Sequence, residues 1–185
     1  LTWVLVGVGA SIAVTIVNYL GVKPAAVIQG VVTLLIAVVG LAFFAGALVN
    51  GSTANLTPLV VGGHEGVLAV AIMTPFMYVG FDVIPQAAEE IDMEPRKIGV
   101  VLIASVILAI AWYAMIIFGV SLALDHAALA KTDLATADAM QVLFNSTLAA
   151  RILIIAGIGG ILTSWNSFFV GGSRAIFALA EAGML

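Results

Sequence analysis

Residues 74–92 read TPFMYVGFDVIPQAAEEID, a string that a regular transmembrane helix does not accommodate. Pro85 has no N–H, so in an unbroken helix the carbonyl of Phe81, four residues earlier, loses its partner. Gly80 lets the backbone leave helical angles at little steric cost. Asp82 falls near the middle of an otherwise apolar run, where a charge costs about 2.5–3.5 kcal/mol on insertion scales. At that depth irregular backbone survives only when buried in protein or lining a watery cavity. The stretch therefore predicts a helix broken near Gly80–Asp82, with free carbonyls at the end of one half and free N–H groups at the start of the other.

Working outward, the surroundings are membrane-like. Of 185 residues, 63% are hydrophobic and 9% charged, with a mean hydropathy of +1.25. A water-soluble domain carries about a quarter of its residues as charges. Five stretches reach the roughly 20 residues that a helix needs to cross a bilayer: about 1–20, 26–49, 66–91, 98–124 and 147–181. The fold class expected is all-α, a multi-pass helix bundle with the third span discontinuous. The fifth span exceeds what a perpendicular crossing needs, which implies tilt or a projection beyond the bilayer.

The connections agree with this division. Residues 50–63 (NGSTANLTPLVVGG) are turn formers. Residues 125–146 collect Asp125, His126, Lys131, Asp133 and Asp138, with a short surface helix expected over 135–144. Lys23, Arg96, Lys97 and Arg174 fall at one face of the five spans, Lys131 and Arg151 at the other. Positive charge gathers on the cytoplasmic side, so the loops at Lys23 and Arg96 are expected there. Asn50, Asn55 and Asn145 open glycosylation-type triplets in the opposite loops. His64 and His126 read as solvated loop residues.

Several functions are disfavoured. There is no cysteine and hence no thiolate chemistry, no metal-spacing motif, and no basic footprint for nucleic acid, the net charge being −4. An enzyme needs converging nucleophiles, carboxylates or ligands, and none is evident. No cofactor is expected. The break itself admits two readings: a proline kink whose Asp82 caps the second half-helix, or a site where unpaired main-chain groups hold a charged solute.

At this point a resemblance enters. The run FMYVGFDVIPQAAEEIDMEPRKI (76–98) resembles the sixth-helix signature of the amino acid–polyamine–organocation (APC) superfamily of permeases. NYLGVKPAAVIQ (18–29) resembles that family's turn between helices four and five, and ILTSWNSFFVGGSRAIFALAEAGML (161–185) its eighth helix and following loop. The resemblance implies one membrane domain, 1–185, corresponding to helices four to eight of a leucine-transporter-type fold with inverted repeats. The chain opens on Leu1 without a methionine, and it is expected to be a portion of a larger permease whose remaining helices would be its partners.

The function implied is secondary transport of amino acids or related amines by alternating access, in the plasma or inner membrane. The alternative is a non-transporting scaffold or sensor on a carrier fold. Carried onto this sequence, the substrate-lining candidates are Tyr78, Gly80, Phe81, Asp82 and Phe168, with a structural cap favoured for Asp82. Thr163 and Ser164 match positions where sodium-coupled relatives hold an ion; whether sodium or a proton couples stays open. Glu89 and Glu90 are expected to pair with Arg96, Lys97 or Arg174 at the cytoplasmic face. Gly160, Ser164, Ser167, Gly171 and Ala175 form a small-residue stripe suited to close packing. Proton-coupled relatives carry a lysine about where this chain has Ile36, and residues 26–49 hold no ionisable side chain.

Overall fold

The protein, seen in a computed structural model, is described for residues 2–19, 22–81, 83–86 and 93–184. Among these residues the regular structure is helical, with no strand. Five helical segments have the length and apolarity to cross a membrane: Thr2–Tyr19, Ala25–Asn50, Gly63–Gln86, Arg96–Ala123 and Thr147–Glu181. They match the five expected spans within a few residues at each end, except that the expected end of the third, 87–91, lies outside the described residues.

The elements follow from the local sequence. Helix α1 (Thr2–Tyr19) and α2 (Val22–Asn50) are almost wholly apolar. The turn formers after Asn50 yield a short 3₁₀ turn, Thr53–Leu56, capped by the Ser52 hydroxyl accepting from the Ala54 N–H. Gly62, in the left-handed region at φ 75°, precedes α3 (Gly63–Met73). His64 therefore sits in the first turn of a helix rather than in a loop. A 3₁₀ turn (Thr74–Tyr78) and α4 (Val83–Gln86) complete the third span. Pro95 opens α5 (Pro95–Ala123), as proline does where the first N–H has no helical partner. The Asp125 carboxylate caps α6 (His126–Leu129). Helix α7 (Ala135–Phe144) occupies the stretch expected for a short surface helix. Ser146 caps α8 (Thr147–Glu181), 35 residues or about 52 Å long.

The densest packing is at one end of the bundle. Phe43 and Ala47 of α2, Val120, Leu122 and Ala123 of α5, and Ala139, Met140 and Leu143 of α7 form one buried cluster. Helix α7 is thus amphipathic, with Ala137, Ala139, Met140 and Leu143 buried. Polar groups stitch the same end: Asn50 donates to the Leu143 carbonyl at 3.0 Å and Asn55 to the Leu122 carbonyl at 2.9 Å. Two of the three glycosylation-type asparagines hence have their amides engaged, and Asn145 ends α7 in the left-handed region. The His126 ring, at the start of α6 rather than in a loop, contacts the Pro58 carbonyl at 3.1 Å. Along the spans, side chains such as Val31, Leu34, Ile103 and Ile158 are exposed, an apolar surface suited to hydrocarbon.

Candidate functional site

The third span leaves helical geometry where the sequence predicts. The 3₁₀ turn ends at Val79, whose backbone is extended (φ −65°, ψ 135°). Gly80 follows at φ +111°, a conformation that L side chains rarely adopt. Two tight bonds restart the chain: Val83 N–H donates to the Gly80 carbonyl at 3.2 Å and Ile84 N–H to the Phe81 carbonyl at 3.3 Å. This corrects one expectation. The Phe81 carbonyl that Pro85 cannot serve is taken one residue earlier, by Ile84, in a 3₁₀-type bond. The open main-chain group is a neighbour: among the described residues nothing donates to the Val79 carbonyl. Asp82, Glu89 and Glu90 lie outside the described residues.

The break faces two clefts. Toward α5, a cleft of about 280 Å³ is lined by Met77, Tyr78, Gly80, Phe81, Ser105 and Tyr113, among others. Its floor is aromatic, with the Tyr78 and Tyr113 rings edge to face at 5.9 Å and 79°. Toward α8, Phe168 approaches the break: its Cζ lies 3.8 Å from where a Cβ on Gly80 would stand. Tyr78, Gly80, Phe81 and Phe168 are thus gathered around one interruption, with Phe81 and Phe168 each about half exposed (48% and 46%).

The second cleft, about 340 Å³, lies between the break, α1, α2 and α8. Its polar wall is a hydrogen-bonded chain across three helices. Asn18 donates to Asn166 at 2.7 Å, Asn166 to Gln29 at 3.4 Å, and Gln29 to Ser167 at 3.1 Å. All three amides fall inside runs quoted for the family resemblance, but the sequence did not join them. Each is an isolated amide in an apolar run, and only the fold brings them together.

The stripe on α8 needs correction. Gly160, Ser167 and Gly171 face the bundle, but Ser164 and Ala175 are exposed; the packed face runs instead through Thr163. One residue is about 100° around a helix, so Thr163 and Ser164 point apart. Thr163 donates to the Gly160 carbonyl at 2.9 Å and lines an apolar pocket between α1, α2 and α8. Ile36 packs on the same turn, its Cδ1 3.3 Å from a Cβ position on Gly160. At Gly171 the approach is closer still, with Gln86 Oε1 2.4 Å from the corresponding point; α4 meets α8 there because no side chain intervenes.

Of the cytoplasmic ion pairs expected, Lys97 is paired with Glu94, at 3.4 Å and exposed on both sides, a residue the sequence reading did not pick. Such a surface pair contributes little. Arg96 stands beside it in the first turn of α5, and Arg174 is half-buried in α8.

Comparison with known proteins places the chain in a family. No solved structure matches the chain. It is 25% identical over 173 residues to the branched-chain amino acid permease BcaP of Bacillus subtilis, covering 94% of this chain and 37% of that protein. It is 27% identical over 177 residues to the chloroplastic cationic amino acid transporter 9 of Arabidopsis thaliana, covering 92% of this chain and 30% of that one. A third relative, cationic amino acid transporter 5 of the same plant, is 26% identical over 140 residues, 74% of this chain and 24% of its own. The chain thus spans about a third or less of the length of these curated relatives. The family model described as "Amino acid permease" matches residues 1–185. The chain belongs to the amino acid permease family of the APC superfamily.

Proposed function

We propose that this chain is part of a carrier that moves amino acids or related amines across a cell membrane by alternating access. The single observation that supports it is the loss of helix at Val79–Phe81 inside a membrane-spanning segment. Irregular backbone there needs a protein or solute partner for its polar groups. The Val79 carbonyl suits an ammonium group, and the aromatic rings of Tyr78, Phe81 and Phe168 add quadrupoles that attract a cation. The N-terminus of the second half-helix favours a carboxylate. An amino acid offers both charges on one carbon. In this reading Asp82 caps that half-helix, and Thr163 rather than Ser164 is the hydroxyl facing the bundle where an ion would sit.

The loops at Lys23 and Arg96 lie on the cytoplasmic side in this reading. Further helices of the same permease complete the site, and no cofactor takes part. The test is uptake by the full-length permease in liposomes. Labelled amino acids should accumulate, and Gly80→Leu should abolish uptake while the protein still inserts. Undiminished transport by that variant removes the break from the mechanism.

A further inference from the structure

The amide wall of the second cleft has hydrogen-bonding capacity that the fold leaves open. A primary amide offers two N–H donors and an oxygen that accepts twice. Asn18 commits both donors, to the Val14 carbonyl at 2.9 Å and to Asn166 at 2.7 Å. Its own oxygen accepts from no described residue. Asn166 and Gln29 each commit one donor, to Gln29 and to Ser167 respectively. The Ser167 hydroxyl donates onward to the Thr163 carbonyl at 3.2 Å. The count leaves one N–H on Asn166, one on Gln29, the Asn18 oxygen, and a second acceptor position on each of the Asn166 and Gln29 oxygens. All three side chains are half-buried and line the cleft that Gly80 also lines.

Polar groups inside a membrane protein are costly when left unmatched. The matching partner must both accept and donate. Among the described lining residues none is ionisable, so a charged partner would find no counter-charge on this wall.

We infer that this cleft binds the uncharged hydrogen-bonding end of a solute, a carboxamide or hydroxyl side chain, with Gln29 and Asn166 as specificity-determining residues. The inference rests on the carrier reading above: the α-amino and carboxylate groups lie at the break, and the side chain extends between α1, α2 and α8. A carboxamide supplies an oxygen to the two open N–H groups and an N–H to the Asn18 oxygen. An aliphatic side chain leaves every one of these positions unmatched, the situation in which polar sites discriminate most strongly. A cationic side chain can use the oxygen but meets the amide N–H groups unfavourably. The neutral polar amino acids are therefore the substrate class selected.

The experiment is uptake of labelled L-glutamine, L-leucine and L-arginine, each below saturation, by the full-length permease in liposomes. Wild type should prefer glutamine. Gln29→Leu should lower the glutamine-to-leucine ratio about tenfold or more. Gln29→Glu places a negative charge in the cleft and should raise arginine relative to glutamine by a similar factor, a gain that misfolding cannot produce. Wild type that favours leucine or arginine overturns the inference, as do ratios that neither variant changes while uptake persists; both results leave the carrier reading standing. A correctly inserted wild type that takes up no amino acid defeats the carrier reading and this inference with it.

Discussion

Phe168 and Gly80 meet without crowding: the ring's Cζ lies 3.8 Å from the point a Cβ on Gly80 would occupy, an ordinary van der Waals distance. What forbids a side chain at position 80 is the backbone, at φ +111°. Gly80→Ala is therefore expected to destabilise by about 1–3 kcal/mol through strain alone. Because no clash is involved, the loss should be the same in a Phe168→Ala background. Thermal unfolding of the four proteins of that cycle in detergent measures it, and a coupling above about 1 kcal/mol contradicts the strain account.

Gly171 presents the opposite case. A Cβ there would meet Gln86 Oε1 at 2.4 Å and Val83 Cγ2 at 3.3 Å. Gly171→Ala must move the Gln86 carboxamide away from its present contacts and should lower the unfolding midpoint, though less than a larger side chain does. Gly171→Val adds branches that the Val83 methyl cannot avoid, and overpacking of about 1–3 kcal/mol is expected. Equal midpoints for the two variants would show that α4 does not rest on α8.

Much of this was legible in the sequence, for reasons that can be named. The spans announced themselves by length and apolarity, and 135–144 by its place between turn formers and the last long apolar run. The break was visible because glycine and proline have few uses so close together inside a span. The partner of the Phe81 carbonyl was not, because the sequence does not say that Ile84 N–H reaches back three residues rather than four. The separation of Thr163 from Ser164 depends on which face α8 turns inward, a tertiary fact. Asn18, Gln29 and Asn166 lie far apart along the chain, and an isolated amide does not name its partner.

Tyr78 and Tyr113 join the third span to α5 through an edge-to-face pair at 5.9 Å. Such a pair contributes about 0.5–1.5 kcal/mol beyond the area it covers. Tyr78→Phe keeps the ring and should unfold within a degree or two of wild type, whereas the combined loss of Tyr78→Ala and Tyr113→Ala should fall short of the sum of the two by about the pair's contribution. Additive losses in the double variant would mean that the rings act independently.

Phe43 is fully buried, at 0% exposure, in the cluster that joins α2, α5 and α7. Phe43→Ala is expected to lose about 3–5 kcal/mol, removing contacts and leaving a void. Phe43→Leu should recover most of that. Unfolding of the full-length protein in detergent or nanodiscs reports both, and a Phe43→Ala midpoint equal to wild type would show that the cluster does not bear on stability.

The position of that cluster has a mechanical consequence. Hydrocarbon side chains interlock around Phe43 at one extremity, while near Gln29 the helices α1, α2 and α8 supplement their apolar contacts with three side-chain hydrogen bonds that water or a solute can replace. Those three bonds can be exchanged like for like, whereas parting α2 from α5 and α7 beside Phe43 opens voids. Rearranging the polar contacts at the Gln29 extremity therefore costs less than loosening the hydrocarbon interlock at the other.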